Sequence, residues 1–203
     1  MSQPAIPAER GTYHHGNLRE ALVQAGLELT RNGGSDALAL RDVTRRVGVS
    51  PNAAYRHFTD RDALLAAISA RIQQGMAERM HLFESSGAAG SSRDLLRAVG
   101  LGYIAFARSE PGWFDVAFGR TEALPGDTSV PPPLRMLGTA LDGLVQSGEL
   151  DAADRPGAEW PCWAAVHGFA MLSLTGPLRA LPEREVTAAA ERTVDAIIEG
   201  LLV

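Results

Sequence analysis

LRDVTRRVGVSPNAAYRHF, residues 40–58, is the stretch on which the reading of this chain turns. Val43 and Val47 recur one helical turn apart on a short helix over 40–47, and Gly48 stops it. Ser50-Pro51 then supplies an N-cap followed by proline at the first helical position, a combination that starts helices. The spacing predicts a two-turn helix over 51–58, broken by Thr59-Asp60. Two short helices joined by Gly48-Val49-Ser50 form the compact pair needed to push one helix into a major groove. Val43, Val47, Val49 and Ala54 would lock the pair against a preceding helix, leaving Asn52, Ala53, Tyr55, Arg56 and His57 outward. Asparagine can pair with adenine, arginine with guanine, and alanine can touch a thymine methyl. Tyrosine and histidine beside phosphates position such a helix without reading sequence. The competing reading is a surface hairpin inside a larger bundle. The glycine turn, the Ser-Pro cap, the brevity of the outward helix and the charge distribution weigh against it.

Upstream, Leu18, Ala21, Leu22, Ala25 and Leu29 follow the i, i+3, i+4, i+7 pattern of an amphipathic helix. Asn17 is its expected cap and Asn32-Gly33-Gly34 its end. Residues 1–12 read as a flexible polar arm. Downstream, Asp60 can cap a fourth helix running to about residue 83, with Leu65, Ile68, Ile72, Met76 and Met80 on one face. The small-residue run 84–92 reads as a junction. Leu96, Val99, Tyr103 and Phe106 then mark a fifth helix, and Trp113, Phe114 and Phe118 a short sixth one opening at Glu110-Pro111. A long loop is expected over 119–133. A seventh helix carries Leu134, Leu137, Leu141 and Leu144 and closes at Ser147-Gly148. The last two span about 159–175 and 183–202. No segment has strand period, so the fold class is all-α: a three-helix head, 13–60, a connecting helix, 61–83, and a C-terminal bundle, 84–203.

The 203 residues carry a net charge of −5, an odd balance for a DNA reader until it is divided along the chain. Residues 1–71 hold nine arginines against seven acids, and the remainder ten against seventeen, so a mildly basic head sits on an acidic body. The single cysteine, Cys162, excludes an internal disulfide and a cysteine-based zinc site. No apolar run approaches the roughly 18–20 residues that span a bilayer, and the N-terminus lacks a secretory core, so no membrane is expected and cytoplasm is the default. An enzyme would need a nucleophile beside a base, spaced metal ligands or a glycine-rich phosphate loop, and none is found. Neither a cofactor nor a metal is expected; His14-His15 has no spaced partner ligand and reads as a phosphate contact or as exposed arm residues.

Residues 13–72 resemble the DNA-binding domain of the TetR (tetracycline-repressor) family: LREALVQAGLEL, then LRDVTRRVGVSPNAAYRHF, then DRDALLAAI. The resemblance implies a nine- to ten-helix Ω-shaped homodimer with two N-terminal heads, repressing from a palindromic operator until a small molecule binds the C-terminal domain. It implies contacts to double-stranded DNA by Arg41, Thr44, Ser50, Pro51, Asn52, Ala53, Tyr55 and His57. Arg56 comes from the reading surface itself. Arg61 stands where many relatives have lysine, a further phosphate contact, and His15 in the opening YHHGNLR is another. That opening is similar to a subgroup whose C-terminal domain carries Trp-x-x-x-His-Gly, matched here by Trp163, His167 and Gly168.

All three tryptophans fall beyond residue 112, with polar groups among them, as in pockets with apolar walls and a few polar anchors. The expected ligand is small and mainly apolar or aromatic, met by Tyr103, Phe106, Phe114, Phe118, Met136, Trp163, His167 and Met171. Plain core residues, and for His167 a bond to a neighbouring carbonyl, are the competing readings. Gly168 is expected to permit close helix approach. The last two helices are apolar on more than one face, which points to a homodimer built from two copies of this pair. An activator, or a ligand-blind DNA binder of the same fold, stays open.

Overall fold

The computed structural model describes residues 18–86, 90–119 and 130–202. The N-terminal arm, the Asn17 cap, His14, His15 and most of the expected 119–133 loop lie outside the described residues. Within them the chain is helical with no strand: α1 (Leu18–Gly33), α2 (Leu40–Val47), α3 (Pro51–Tyr55), α4 (Arg61–Ser86), α5 (Ser92–Ser109), α6 (Pro111–Phe118), α7 (Pro132–Gln146), α8 (Glu159–Leu174) and α9 (Glu183–Leu201). Short 3-10 turns follow α1 and α8.

The head closes around Leu22, Val43, Ala54 and Phe58 from α1 to α3 and Leu64 and Ile68 from α4, all buried. Each such side chain contributes on the order of 1.5–3 kcal/mol by leaving water. On α4 the buried position is Leu64, with Leu65 only half-buried, so the inward stripe begins one residue earlier than expected. At Gly26 an added Cβ would lie 2.3 Å from the Ile68 Cδ1, so the Ile68 side chain would have to shift to admit one.

The buried residues form one continuous cluster, and α4 runs through it from Leu64 in the head to Met76 and Met80 in the body. α5 is the central rod of the body, burying Leu96, Val99, Tyr103, Ile104 and Phe106 against helices on several sides. α8 is apolar nearly all round. It buries Cys162, Val166, Phe169 and Ala170 inward and leaves Trp160, Met171 and Leu172 exposed.

Three boundaries differ from expectation. α3 ends at Tyr55 rather than Phe58, because Ala54 O accepts from both His57 N and Phe58 N and the chain turns away. α4 continues through Ser86, into the stretch read as a junction, and α5 begins at Ser92 under a Ser91 cap. α7 begins at Pro132, taking the last two prolines of the expected loop into its first turn, where proline is tolerated.

Candidate nucleic-acid interface and effector domain

The turn between α2 and α3 is built from three local rules. Gly48 takes a left-handed conformation (φ 77°, ψ 31°), and its N–H reaches Thr44 O at 2.9 Å. Only glycine adopts that conformation without steric cost. Ser50 is extended, and its Oγ accepts from Ala53 N at 3.3 Å. Pro51 follows at the first helical position. Ala54 and Phe58 anchor the segment inward, so Ser50, Pro51, Asn52, Tyr55, Arg56 and His57 are exposed and Ala53 is half-buried. Arg41 is exposed at the start of α2. The neighbouring Arg45 pairs with Asp42 at 2.6 Å and Arg46 with Glu28 at 3.0 Å. Among the described residues neither Arg41 nor Arg56 has an ion-pair partner, so both guanidiniums face solvent uncommitted.

Two expected contacts sit differently. Thr44 is 2% exposed, and its hydroxyl donates to Arg41 O at 3.0 Å, so it serves the packing of α2 rather than the outer surface. Arg61 directs Nε to Leu38 O at 2.9 Å and Nη2 to Ser35 O, tying the α1–α2 connection to α4. His15 lies outside the described residues.

Five of the eight expected effector residues come together in the body. Tyr103 has Phe114, Phe118 and Trp163 within 5.1–5.7 Å between ring centres, and His167 stacks at 12° to Trp163. Tyr103 Oη and His167 Nδ1 are 3.0 Å apart. Burial drives the Tyr103 phenol far up and holds the His167 imidazole below its ordinary value, so the hydroxyl donates and a neutral ring accepts. His167 therefore bonds a side chain rather than a neighbouring carbonyl. Of the acids on α9, Asp195 pairs with Arg97 and Glu183 with Arg108. Beside the cluster lies an apolar cavity of about 30 Å³, touched by Tyr103, Trp163, Val99, Leu137, Val166 and Ile198.

The other three do not join them. Phe106, one turn along α5 from Tyr103, is buried under the Arg79 guanidinium at 5.5 Å, outside the ring contacts of the cluster. Met136 is buried but does not touch the cavity, and Met171 is exposed on α8. Gly168 meets no atom within 4 Å on an added Cβ, so no helix of its own subunit requires it to be small. Burial pushes the Cys162 thiol up to about 11, which leaves it inert.

Residues 22–68 match the bacterial regulatory proteins of the tetR family, and residues 96–197 match the tetracyclin repressor-like C-terminal domain. The chain belongs to the TetR family. It is a DNA-binding transcriptional regulator with a helix-turn-helix head. An uncharacterized HTH-type transcriptional regulator of Mycobacterium tuberculosis is 23% identical over 158 residues, covering 78% of this chain and 71% of that protein. A protein of unknown function from Rhodococcus sp. RHA1 superposes with a TM-score of 0.71 at 25% identity, over 95% of this chain and 100% of its own. The fold is shared by a TetR variant from Acinetobacter baumannii AYE in complex with minocycline (TM-score 0.64, 21% identity, 90% and 94% covered). It is shared too by FadR from Bacillus subtilis in complex with stearoyl-CoA (0.65, 14%, 90% and 98%).

In this TetR-family chain the head is fastened to the body at the end of α1, by residues the sequence reading did not single out. Glu110, 5% exposed, accepts from Arg31 Nε at 2.8 Å, Arg31 Nη2 at 2.7 Å and Arg79 Nη1 at 3.0 Å. Those bonds hold its carboxyl below the usual range although burial pushes the other way. Trp113 Nε1 donates to Leu27 O at 2.9 Å, and Asp115 Oδ2 accepts from Ser35 N and Oγ at 2.8 and 2.9 Å. An added Cβ at Gly112 would lie 2.3 Å from Arg31 O and 2.6 Å from Thr30 O, so α6 rests on the α1 backbone. The visible hints in the sequence are two acids, Glu110 directly before a short apolar helix and Asp115 within it. No helix among the described residues is long and apolar enough to cross a membrane, and none of their side chains cluster as a metal site.

Proposed function

We propose that the chain is a homodimeric repressor that reads a palindromic operator through α3 and is released by a small, mainly apolar or aromatic ligand. The outward face of α3 carries the reading: Asn52, Tyr55 (53% exposed), Arg56 and His57 stand on a rigidly capped segment with no covering helix among the described residues. Arg56 and Asn52 are the base readers. Ser50, Pro51, Ala53, Tyr55, His57 and Arg41 follow the backbone and groove wall, and His15 reaches a phosphate from the arm. Thr44 and Arg61 support this surface from beneath. A role on DNA places the protein in the cytoplasm. The working division is a head over 13–60, a connecting helix over 61–83 and a sensing and dimerising part over 84–203.

One head touching a few base pairs binds weakly, whereas two heads about 34–36 Å apart read successive major grooves on one side of the duplex. The exposed stripe Trp160, Ala164, Met171 and Leu172 on α8, with half-buried Gly168 in line with it, supports a partner surface built from α8 and α9. Gly168, open on its own subunit, is small for the neighbour that covers it.

The effector enters beside Tyr103 and Trp163, with His167 as the polar anchor. The structural relatives that hold minocycline and stearoyl-CoA support a ligand-holding body. The 30 Å³ cavity favours a second reading, because it admits no more than a couple of waters. Drug-sized pockets begin near 300 Å³. Either the aromatic cluster opens around a ligand, or the chain is a ligand-blind DNA binder or activator. Gel-shift binding to the chain's own upstream region, with and without candidate apolar ligands, decides. Release by a compound supports the repressor, a shift that no compound relieves supports the ligand-blind reading, and no shift removes both.

A further inference from the structure

A groove of about 270 Å³ runs between α1, α4 and the corner where α5 meets α6, on the side of Phe106 away from the Tyr103 cluster. We propose that this groove is a binding site for a planar aromatic monocarboxylate, separate from the cavity inside the body. Its walls carry three guanidiniums, Arg31, Arg71 and Arg79, against two carboxylates, Glu28 and Glu78. Glu28 is neutralised by Arg46 at 3.0 Å, whereas Glu78 accepts only from the neutral Gln74 amide at 3.3 Å and keeps its charge. Arg31 and Arg79 share the buried Glu110, whereas Arg71 has no carboxylate partner among the described residues. With Glu110 and Arg46 counted, four guanidiniums face three carboxylates, so the lining carries one net positive charge, which suits one carboxylate better than two. A guanidinium fork takes a carboxylate through two parallel bonds, and its flat face stacks on rings.

The remaining walls are apolar and flat. Phe106 and Trp113 line one side, and Arg31 already stands 4.9 Å over the Trp113 ring. On the α4 side Gly75 leaves the floor bare, since an added Cβ meets nothing within 4 Å. A volume just under the ~300 Å³ of ordinary ligand pockets fits one or two fused rings. Because one wall is head and the others are body, the affinity of such a ligand depends on how the head is seated, and occupancy biases that seating in return.

The test is calorimetric titration of the full chain with 2-naphthoate at low ionic strength, beside the neutral isostere 2-naphthamide. Saturable binding of one naphthoate per chain is expected, with the amide at least about tenfold weaker. Gly75→Leu extends a side chain over the floor from a Cβ that itself meets nothing within 4 Å, and Arg71→Ala removes an exposed side chain. Each should weaken naphthoate by about tenfold or more while the melting temperature stays at or above that of the parent within a degree or so. Absence of naphthoate binding at millimolar concentration overturns the proposal, as does equal binding of the amide. Unchanged affinity in Gly75→Leu also overturns it, since the ligand would then sit elsewhere.

Discussion

Replacing Gly112 by alanine attacks the seam between head and body at its tightest point. The new Cβ would lie 2.3 Å from Arg31 O, 2.6 Å from Thr30 O and 2.7 Å from Arg31 C. Ordinary contact begins near 3.4 Å, so α6 and the end of α1 must part by about 1 Å, and backbone atoms cannot swing aside as a flexible side chain would. Overpacking of this kind costs about 1–3 kcal/mol, offset by up to about 1 kcal/mol from the better helix propensity of alanine. The parting also lengthens the Trp113–Leu27 and Arg31–Glu110 bonds that cross the same seam. Taking a net cost of about 1–2 kcal/mol, at roughly 2–4 °C per kcal/mol for a chain of this size, a fall of about 2–8 °C in Tm is expected by calorimetry at fixed protomer concentration. Gly75→Ala is the control: the same chemistry in a helix, with nothing within 4 Å, should leave Tm unchanged or raise it. A Gly112→Ala protein that melts with Gly75→Ala would refute the claim that this contact is tight.

Arg56→Ala and Asn52→Ala should each weaken operator binding by about 5- to 150-fold at fixed salt, and relax preference at one base position, in a gel-shift series over single-base operator variants. Equal loss on all sequences would make them phosphate contacts instead. The folded-state value of His167 lies below the ordinary 6.5, so its contribution to stability is present above 6.5 and is lost as pH falls from there toward the folded value. Denaturant titrations at pH 7.0 and 5.5 should show a smaller pH dependence in His167→Gln than in the parent, and an equal dependence would contradict the assignment. Leu172→Glu sets one acid in each half of the exposed α8 stripe, and sedimentation at micromolar concentration should show dimers converted to monomers; intact dimers would move the interface elsewhere. Cys162, buried with its thiol raised to about 11, should react with a thiol reagent at pH 8 only after unfolding, and prompt reaction of the native chain would show the core of α8 to be open.

The elements that could be read from the sequence are those specified by neighbours along the chain. Gly48, Ser50 and Pro51 act on their own turn, which is why the end of α2 and the start of α3 were legible to the residue. The end of α3 was not, because Phe58 reaches the core from a turn as readily as from a helix, and periodicity cannot tell the two apart. The same limit governs the body. Tyr103 and Phe106 sit one turn apart on α5 and both are buried, yet they serve different clusters, since a helix wide enough to be packed on several sides has more than one interior. Arg31, Glu110 and Arg79 meet across 79 and 31 residues of chain, and Arg61 finds two carbonyls of the α1–α2 connection. No local pattern records such meetings. Arg61 therefore read as one more exposed base.

A helix of five residues cannot hold itself together in water, since nucleation costs more than so few bonds return. α3 keeps its shape through the serine cap at one end and Ala54 with Phe58 beneath, none of which is among the proposed base readers. The letters on its outer side are consequently free to change while the frame stays put. On the reading proposed above, successive replacements at 52 and 56 would retarget a descendant of this chain to new promoters one base at a time, each intermediate remaining a folded protein.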